Sequence, residues 1–328
     1  MQKNIAVVGC GHWGQNLVRN FYDLGALAAI CDPNAELAKQ YATKYSVNNF
    51  SFDQIIKDEF IEGVVLAVPA PLHSSLAIKA MNAGKHAYVE KPLAMNQTEA
   101  RRMIDTSKDQ EVNLMVGHLL QFHPVFIRVR ELVASGELGG LSYIYSNRLS
   151  FGKVRSEEDV IWSFAPHDIS MILSLTGQEP ELVRTESVNI LSSNIADKAT
   201  VHMEFTSGLK AHISVSWLHP YKEQKLVVIG ESAMAVFDDT KPWEQKLALY
   251  RHKIDITGEL PSLGKSNVEY IEVPQSEPLK NECRHFIDVV NRGLMPITDG
   301  DEGLRVLNVL SAATLSQNKN NTIRVKAL

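Results

Sequence analysis

The chain has 328 residues, of which 45% are hydrophobic and 22% are charged, as in an ordinary globular protein of about two domains. Its 33 Lys and Arg against 38 Asp and Glu give a net charge of −5, which excludes a strongly basic nucleic-acid-binding protein. No apolar run approaches the roughly 18 residues of a membrane span, and three scattered cysteines make neither a disulfide framework nor a zinc site. We therefore expect a cytoplasmic protein with no membrane and no nucleic-acid partner.

The first third alternates short apolar runs with helical patterns. Buried strands are predicted at Ile5–Val8, Ala26–Ile30, Gly63–Val68, His86–Val89 and Leu114–Val116. Continuous apolar runs of this kind are typical of a parallel sheet that is covered on both faces. The sequence therefore predicts an α/β fold that begins with a Rossmann domain, a doubly wound parallel sheet over residues 1–118.

After this point the pattern is that of an α+β domain over residues 119–328. A helix is predicted over 124–136, and alternating apolar residues predict strands around 141–145, 199–205 and 209–215. The last two strands flank a Gly-containing turn, which indicates a hairpin and hence a large, mostly antiparallel open sheet. Because few helices remain to cover this sheet, we expect a second subunit to pack on it, in a homodimer or homotetramer.

A glycine motif follows the first strand directly. The run Gly9-Cys10-Gly11-His12-Trp13-Gly14 fits G-x-G-x-x-G and opens an amphipathic helix, the context in which this motif binds the pyrophosphate of a dinucleotide. Asp32 ends the second strand, where a carboxylate accepts both ribose hydroxyls and repels a 2′-phosphate. No Arg or Lys follows it immediately, so the predicted cofactor is NAD rather than NADP. The predicted contacts in this segment are Gly9, Gly11, His12, Trp13, Gly14 and Asp32.

A lysine stands at the end of the predicted fifth strand, in Glu90-Lys91-Pro92. Ligands bind at the carboxyl ends of the strands in doubly wound sheets, so Lys91 is expected to lie where a ligand binds. Earlier, a buried strand runs into a turn at Pro69, and His73 follows on the next helix. The eleven histidines show no metal-ligand spacing, so no metal is expected.

Together these motifs resemble the glucose-fructose oxidoreductase/inositol dehydrogenase (Gfo/Idh/MocA) family of NAD(P)-dependent sugar oxidoreductases. The resemblance covers the whole chain and includes the second-domain segment Pro166-His167-Asp168. It implies that Lys91 contacts nicotinamide ribose and substrate, often beside a cis Pro92, and that His167 faces the substrate hydroxyl. It also implies that Pro69, His73 and Glu90 line the cofactor pocket.

The chain departs from the family pattern around the histidine. The family usually carries one acid four residues before it and another three residues after it, whereas this chain has Ser163 and Ser170 there. Asp168 instead follows His167 directly. Lys91 and His167 are therefore the predicted catalytic pair, and the sequence leaves open which of them holds the proton.

The second-domain segments Asn147–Leu149, Ile161–Asp168 and Ser216–Lys222 resemble the branch of the family that acts on UDP-linked N-acetylhexosamines. That resemblance implies NAD-dependent oxidation of the C3 hydroxyl of UDP-GlcNAc, or of its uronate, to a 3-keto sugar that an aminotransferase converts into a 3-amino sugar for lipopolysaccharide. Two phosphate charges would suit a basic cluster at Arg148, Lys153 and Arg155. The candidate substrate residues are Gln121, Arg148, Arg155, Trp162, His167 and Asp168.

Two alternatives remain open. One is a dehydrogenase of a free polyol or monosaccharide, such as an inositol dehydrogenase, which would not need the basic cluster. The other is a regulator that binds NAD or a sugar without catalysis; the presence of Lys91 speaks against it.

Overall fold

The structure is a computed structural model, and it describes residues 3–152, 154–155, 158–255, 260 and 262–325. The chain divides into two units: residues 1–122 with 276–307, and residues 123–275 with 308–328. This division differs from a single boundary at 118/119, because a late segment of the chain returns to the first unit.

The first unit is built on a six-stranded sheet. Its strands are β1 (Ile5–Val8), β2 (Leu27–Cys31), β3 (Asn48–Asn49), β4 (Gly63–Leu66), β5 (His86–Glu90) and β6 (Leu114–Gly117). All neighbours are parallel, in the order β3-β2-β1-β4-β5-β6. The helices between them are α1 (Gly14–Asp23), α2 (Ala35–Tyr45), α3 (Phe52–Lys57), α4 (His73–Asn82) and α5 (Gln97–Asp109). The predicted doubly wound parallel sheet is confirmed.

The second unit opens with α6 (Pro124–Ala134), followed by β7 (Leu141–Phe151) and α7 (Val160–Thr176). Further strands are β8 (Leu182–Val188), β9 (Lys198–Glu204), β10 (Lys210–Ser216), β11 (Leu218–Gly230), β12 (Met234–Asp238), β13 (Leu247–Tyr250), β14 (Lys253–Asp255), β15 (Ser262–Gly264), β16 (Glu269–Tyr270) and β17 (Ile323–Arg324). Eight of them join β7 in one nine-stranded sheet, in the order β16-β13-β12-β11-β7-β10-β9-β8-β17, while β14 pairs with β15. Only β7 and β10 run parallel among its described pairs, so the expected mostly antiparallel sheet is confirmed.

One face of the large sheet is covered by α7, a helix that the sequence analysis did not predict. Helix α7 packs on β7, β9 and β10, and twelve of its seventeen residues are buried. On that face, Ile144, Val201 and Ile213 are fully buried. Burial of alternate strand residues against an apolar helix provides the core of this unit.

Two helices, α8 (Pro278–Arg292) and α9 (Gly300–Lys319), close the chain. Helix α8 lies in the first unit, whereas α9 passes from the first unit to the second after Leu307. Phe286 of α8 meets Phe21 edge-on at a ring distance of 6.2 Å and Tyr88 at 5.6 Å. A Cβ on Gly63 would stand 3.0 Å from the Phe286 ring, so glycine at this position gives α8 room to pack closely on the sheet. The core of the first unit therefore depends on residues from both ends of the sequence.

Among the described residues, no helix combines the length and the apolar character that crossing a bilayer requires.

Candidate active site

The loop between β1 and α1 has the backbone that its glycines predict. Gly9 has a φ of +93°, and a Cβ there would stand 2.4 Å from the Ala67 carbonyl oxygen. A Cβ on Gly14 would stand 1.9 Å from the Gly9 carbonyl oxygen. Both positions therefore exclude any side chain, as the tight turn and the close helix–strand contact of the motif require.

The same loop leaves room for an anion. An added Cβ on Gly11 would have no atom within 4 Å, so the backbone is open on that side. Helix α1 begins after Trp13, with no side-chain cap and no acidic residue in its first turn. Its first N–H groups and the positive end of its dipole can therefore bind a phosphate. These features fit the pyrophosphate of a dinucleotide cofactor.

Asp32 stands directly after β2, beside this loop. One carboxylate oxygen accepts a hydrogen bond from the Cys10 N–H at 2.7 Å, and the other accepts from the Asn34 N–H at 2.9 Å. Each oxygen has a second lone pair, so Asp32 can still accept from ribose hydroxyls. The bonds hold the carboxylate against the loop, where its charge would oppose a 2′-phosphate.

Glu90 joins the glycine loop to the end of β5. The exposed Trp13 indole donates to its Oε1 at 2.6 Å, and the Lys91 N–H donates to its Oε2 at 3.2 Å. Burial raises the pKa of Glu90, while the Trp13 hydrogen bond and the charge of Lys91 act in the opposite direction. A Cβ on Gly117 would stand 3.0 Å from the Glu90 carboxyl group, so glycine at the end of β6 leaves room for that group. The contact of Trp13 with Glu90 joins residues 77 apart in sequence and was not predicted.

Lys91 is half-buried at the carboxyl end of β5, and its bond to Pro92 is cis, as the resemblance implied. Pro69 follows β4 with a φ of −57°, just before a short 3-10 turn. His73 is 1% exposed at the start of α4, and both of its ring nitrogens contact backbone carbonyls. Lys91, Pro69 and His73 therefore all lie at the carboxyl ends of the parallel strands, on the same edge of the sheet as the glycine loop.

Gln121 is 2% exposed, in a 3-10 turn that follows β6. Its N–H donates to the His118 carbonyl oxygen at 2.9 Å. The His118 ring contacts the Glu302 carboxylate at 2.6 Å, a buried pair separated by 184 residues that no sequence signal indicated.

In the second unit, Arg148 on β7 and Asp168 on α7 bind each other. The guanidinium makes two hydrogen bonds to the carboxylate, at 2.7 and 3.1 Å, and Ser146 donates to it at 2.6 Å. Asp168 is 0% exposed and the Arg148 side chain 13% exposed. The arginine predicted to meet substrate phosphate is therefore held by an internal carboxylate.

The other second-unit candidates are spread along the chain. The Trp162 indole donates to the Thr314 hydroxyl at 2.9 Å. Arg155 has a side chain that is 45% exposed and lies 3.8 Å from Glu158, whereas Lys153 lies outside the described residues. His167 is half-buried on α7, directly before Asp168.

Across the described ranges, no three His, Cys, Asp or Glu side chains gather as metal ligands would.

Comparison with known proteins agrees with the predicted family. The family model described as "Oxidoreductase family, NAD-binding Rossmann fold" (GFO_IDH_MocA) matches residues 3–118, and the GFO/IDH/MocA C-terminal domain model matches residues 126–236. UDP-N-acetylglucosamine 3-dehydrogenase from Acidithiobacillus ferrooxidans is 27% identical over 303 residues, 92% of this chain and 93% of that protein. Inositol 2-dehydrogenase from Rhizobium meliloti is 24% identical, over 91% of both chains.

The same A. ferrooxidans enzyme has a solved structure with a TM-score of 0.86 and 25% identity, covering 96% of this chain and 98% of that one. Its fold extends across both units of the present structure. The chain therefore belongs to the GFO/IDH/MocA family of oxidoreductases, with an NAD-binding Rossmann fold in its first part.

Proposed function

We propose that this protein is an NAD-dependent dehydrogenase that oxidises the C3 hydroxyl of UDP-GlcNAc, or of its uronate, to a 3-keto sugar. The observation that carries the proposal is Lys91, half-buried at the end of β5 and joined through Glu90 to the glycine loop. The similarity to a UDP-N-acetylglucosamine 3-dehydrogenase supports the substrate. An aminotransferase would then consume the ketone in making 3-amino sugars for lipopolysaccharide.

In this reaction NAD, when bound, supplies the hydride acceptor. The chain's own part is to remove the hydroxyl proton as the carbon loses hydride, so that the alcohol becomes a ketone. We assign this step to Lys91 and His167, one as general base and the other as the group that orients the hydroxyl. A positioned base typically contributes about 10²–10⁴-fold to the rate, and orientation of the reactants contributes more.

We also propose NAD rather than NADP as the cofactor. The Asp32 carboxylate supports this choice, because it can accept from ribose hydroxyls and would repel a 2′-phosphate.

A second candidate substrate is a free polyol such as inositol. The pairing of Arg148 with Asp168 favours it, because that pairing removes one of the three cations proposed to bind a nucleotide diphosphate. Similarity to inositol 2-dehydrogenase supports the same alternative.

The test is NADH formation, followed by absorbance, with UDP-GlcNAc, UDP-GlcNAc uronate and myo-inositol as separate substrates. We expect turnover with a UDP-sugar and a much smaller kcat/KM with inositol. The reverse order would establish the polyol alternative. Binding of NAD without turnover of any sugar would instead favour a regulator.

We further propose that a second copy of the chain packs on the face of the large sheet opposite α7. On that face, the Tyr145 and His212 rings stack at 5.4 Å, and the Tyr143 hydroxyl contacts the His212 ring at 2.5 Å. All three are partly exposed, and such aromatic surfaces are enriched at protein interfaces. Sedimentation at micromolar concentration should show a dimer or tetramer, and a monomer would refute this assembly.

A further inference from the structure

His73 connects two segments that leave neighbouring strands. Its Nδ1 lies 2.8 Å from the Pro92 carbonyl oxygen, and its Nε2 lies 2.9 Å from the Val68 carbonyl oxygen. Val68 follows β4, and Pro92 directly follows Lys91 after β5. The imidazole therefore spans the ends of β4 and β5 at the edge where ligands bind.

Both polar atoms of the ring are used by these contacts. The residue is 1% exposed, and each ring nitrogen faces a backbone carbonyl. A neutral imidazole donates to one of the two carbonyls, and an imidazolium donates to both. In either state the ring has no further nitrogen with which to bind a cofactor, so its contribution to the site has to pass through the backbone that it holds.

We propose that His73 is a positioning residue for Lys91. By binding the Pro92 carbonyl, it fixes the segment that carries the lysine relative to the end of β4, and so sets where the amine meets its substrate. The inference rests on the proposed function, in which Lys91 acts on the substrate hydroxyl. Displacement of a catalytic group by about 1 Å can cost about 10²-fold in rate, so a single backbone contact can matter this much.

Two amide substitutions separate the two contacts. The amide nitrogen of asparagine lies near the place of histidine Nδ1, and that of glutamine lies near the place of Nε2. His73→Asn can therefore keep the bond to Pro92, and His73→Gln can keep the bond to Val68. We expect His73→Asn to retain kcat within about threefold and His73→Gln to lose about tenfold or more, with the Kd for NADH, measured by fluorescence, unchanged in both.

His86 is the matched control, because it begins β5, the strand that Lys91 directly follows. Its Nδ1 accepts from the Asn113 N–H at 3.0 Å, and it is half-buried. We expect His86→Asn to change thermal stability without changing kcat. This comparison separates an effect on Lys91 from a general loosening of the sheet.

Equal losses of kcat in His73→Asn and His73→Gln, or wild-type kcat in both, would overturn the inference. A raised Kd for NADH with an unchanged kcat would overturn it too, by making His73 a cofactor residue. If His73→Gln does not fold, His73→Asn decides alone: kcat within threefold supports the inference, and a loss above tenfold refutes it. A different result would refute the proposed function: wild-type kcat in Lys91→Met.

Discussion

Among single residues, Asp32 is expected to set the cofactor preference. Asp32→Ala removes an acceptor for the ribose hydroxyls and the charge that repels a 2′-phosphate. Hydrogen bonds to charged groups are worth about 1.5–3 kcal/mol, so the Kd for NAD should rise about 10–100-fold while discrimination against NADP weakens. Titration of both cofactors by fluorescence measures the two effects.

Asp32→Asn is the control for this prediction. It keeps an acceptor oxygen for the Cys10 or the Asn34 N–H but loses the negative charge. If charge decides the preference, Asn should relax discrimination against NADP as Ala does while disturbing the loop less. A wild-type protein that already prefers NADP would refute the assignment of Asp32.

Lys91 and His167 are expected to act as one catalytic unit. Lys91→Met keeps much of the side-chain bulk but removes the amine, so kcat should fall at least ~10²-fold while NAD still binds. His167→Asn should also slow turnover. If the two residues share one step, the double variant should be scarcely slower than the slower single variant.

Losses that multiply in the double variant would show independent roles, with Lys91 positioning the sugar and His167 alone as base. Near-normal turnover by Lys91→Met would remove the lysine from the chemistry altogether. NADH fluorescence with each variant keeps an effect on cofactor binding separate from an effect on rate.

The cofactor loop could be predicted residue by residue because its constraints are local. Gly9 adopts a φ of +93°, and a Cβ on Gly14 would meet the carbonyl oxygen of Gly9, five residues earlier in the same loop. The contacts of Glu90 with Trp13, and of His73 with Pro92, join segments far apart in sequence. No periodicity marks such contacts, so only the folded chain reveals them.

Between elements, the Arg148–Asp168 pair fastens β7 to α7. Removing one partner of a buried ion pair leaves the other charge uncompensated, which typically costs about 3–5 kcal/mol. Asp168→Ala should therefore lower the free energy of unfolding by about that amount in a denaturant titration. The double variant Arg148→Met with Asp168→Leu should lose much less, because no charge is then left buried.

An exposed pair on the same sheet provides the comparison. Lys210 and Glu204 lie 3.3 Å apart with side chains 61% and 53% exposed. Glu204→Ala should change the unfolding free energy by less than about 1 kcal/mol, because water already solvates both charges. Similar costs for Glu204→Ala and Asp168→Ala would contradict the structural role given to the buried pair.

Elements with a clear pattern were predicted, and those without one were missed. The apolar runs of β1, β4, β5 and β6 gave bounds within about two residues of the structure. Helix α7 contains Pro166 and is buried over most of its surface, so it shows neither amphipathic spacing nor a helix-favouring composition. The polar segment from His219 to Glu223 shows no apolar alternation, yet it lies within β11, beside a register irregularity.

For the whole protein, buried Glu282 predicts how stability depends on pH. It is 0% exposed; burial raises its pKa well above 4.5, repulsion by Glu90 raises it further, and contact with Tyr88 acts against both. The folded state therefore holds a proton that the unfolded state releases. Stability from this group is fully present below pH 4.5 and is lost as pH rises toward the folded-state pKa.

Glu282→Gln removes this titration while keeping the side-chain shape. The thermal stability of the variant minus that of wild type should be larger at about pH 8 than at about pH 5. Thermal unfolding followed by circular dichroism at both values measures the difference. A gain of the same size at both would mean that Glu282 does not titrate differently in the folded and unfolded states.

The first unit is discontinuous, and this has a consequence for synthesis. Its core includes Phe286, which packs on Phe21 and Tyr88, yet residues 276–307 leave the ribosome long after residue 122. At 5–20 residues per second, the roughly 150 intervening residues take about 8–30 s. During that interval the nascent sheet exposes the apolar surface that α8 will cover, a state open to chaperones and to aggregation. A stalled or truncated translation product that ends before α8 should therefore be degraded rather than accumulate as a folded nucleotide-binding fragment.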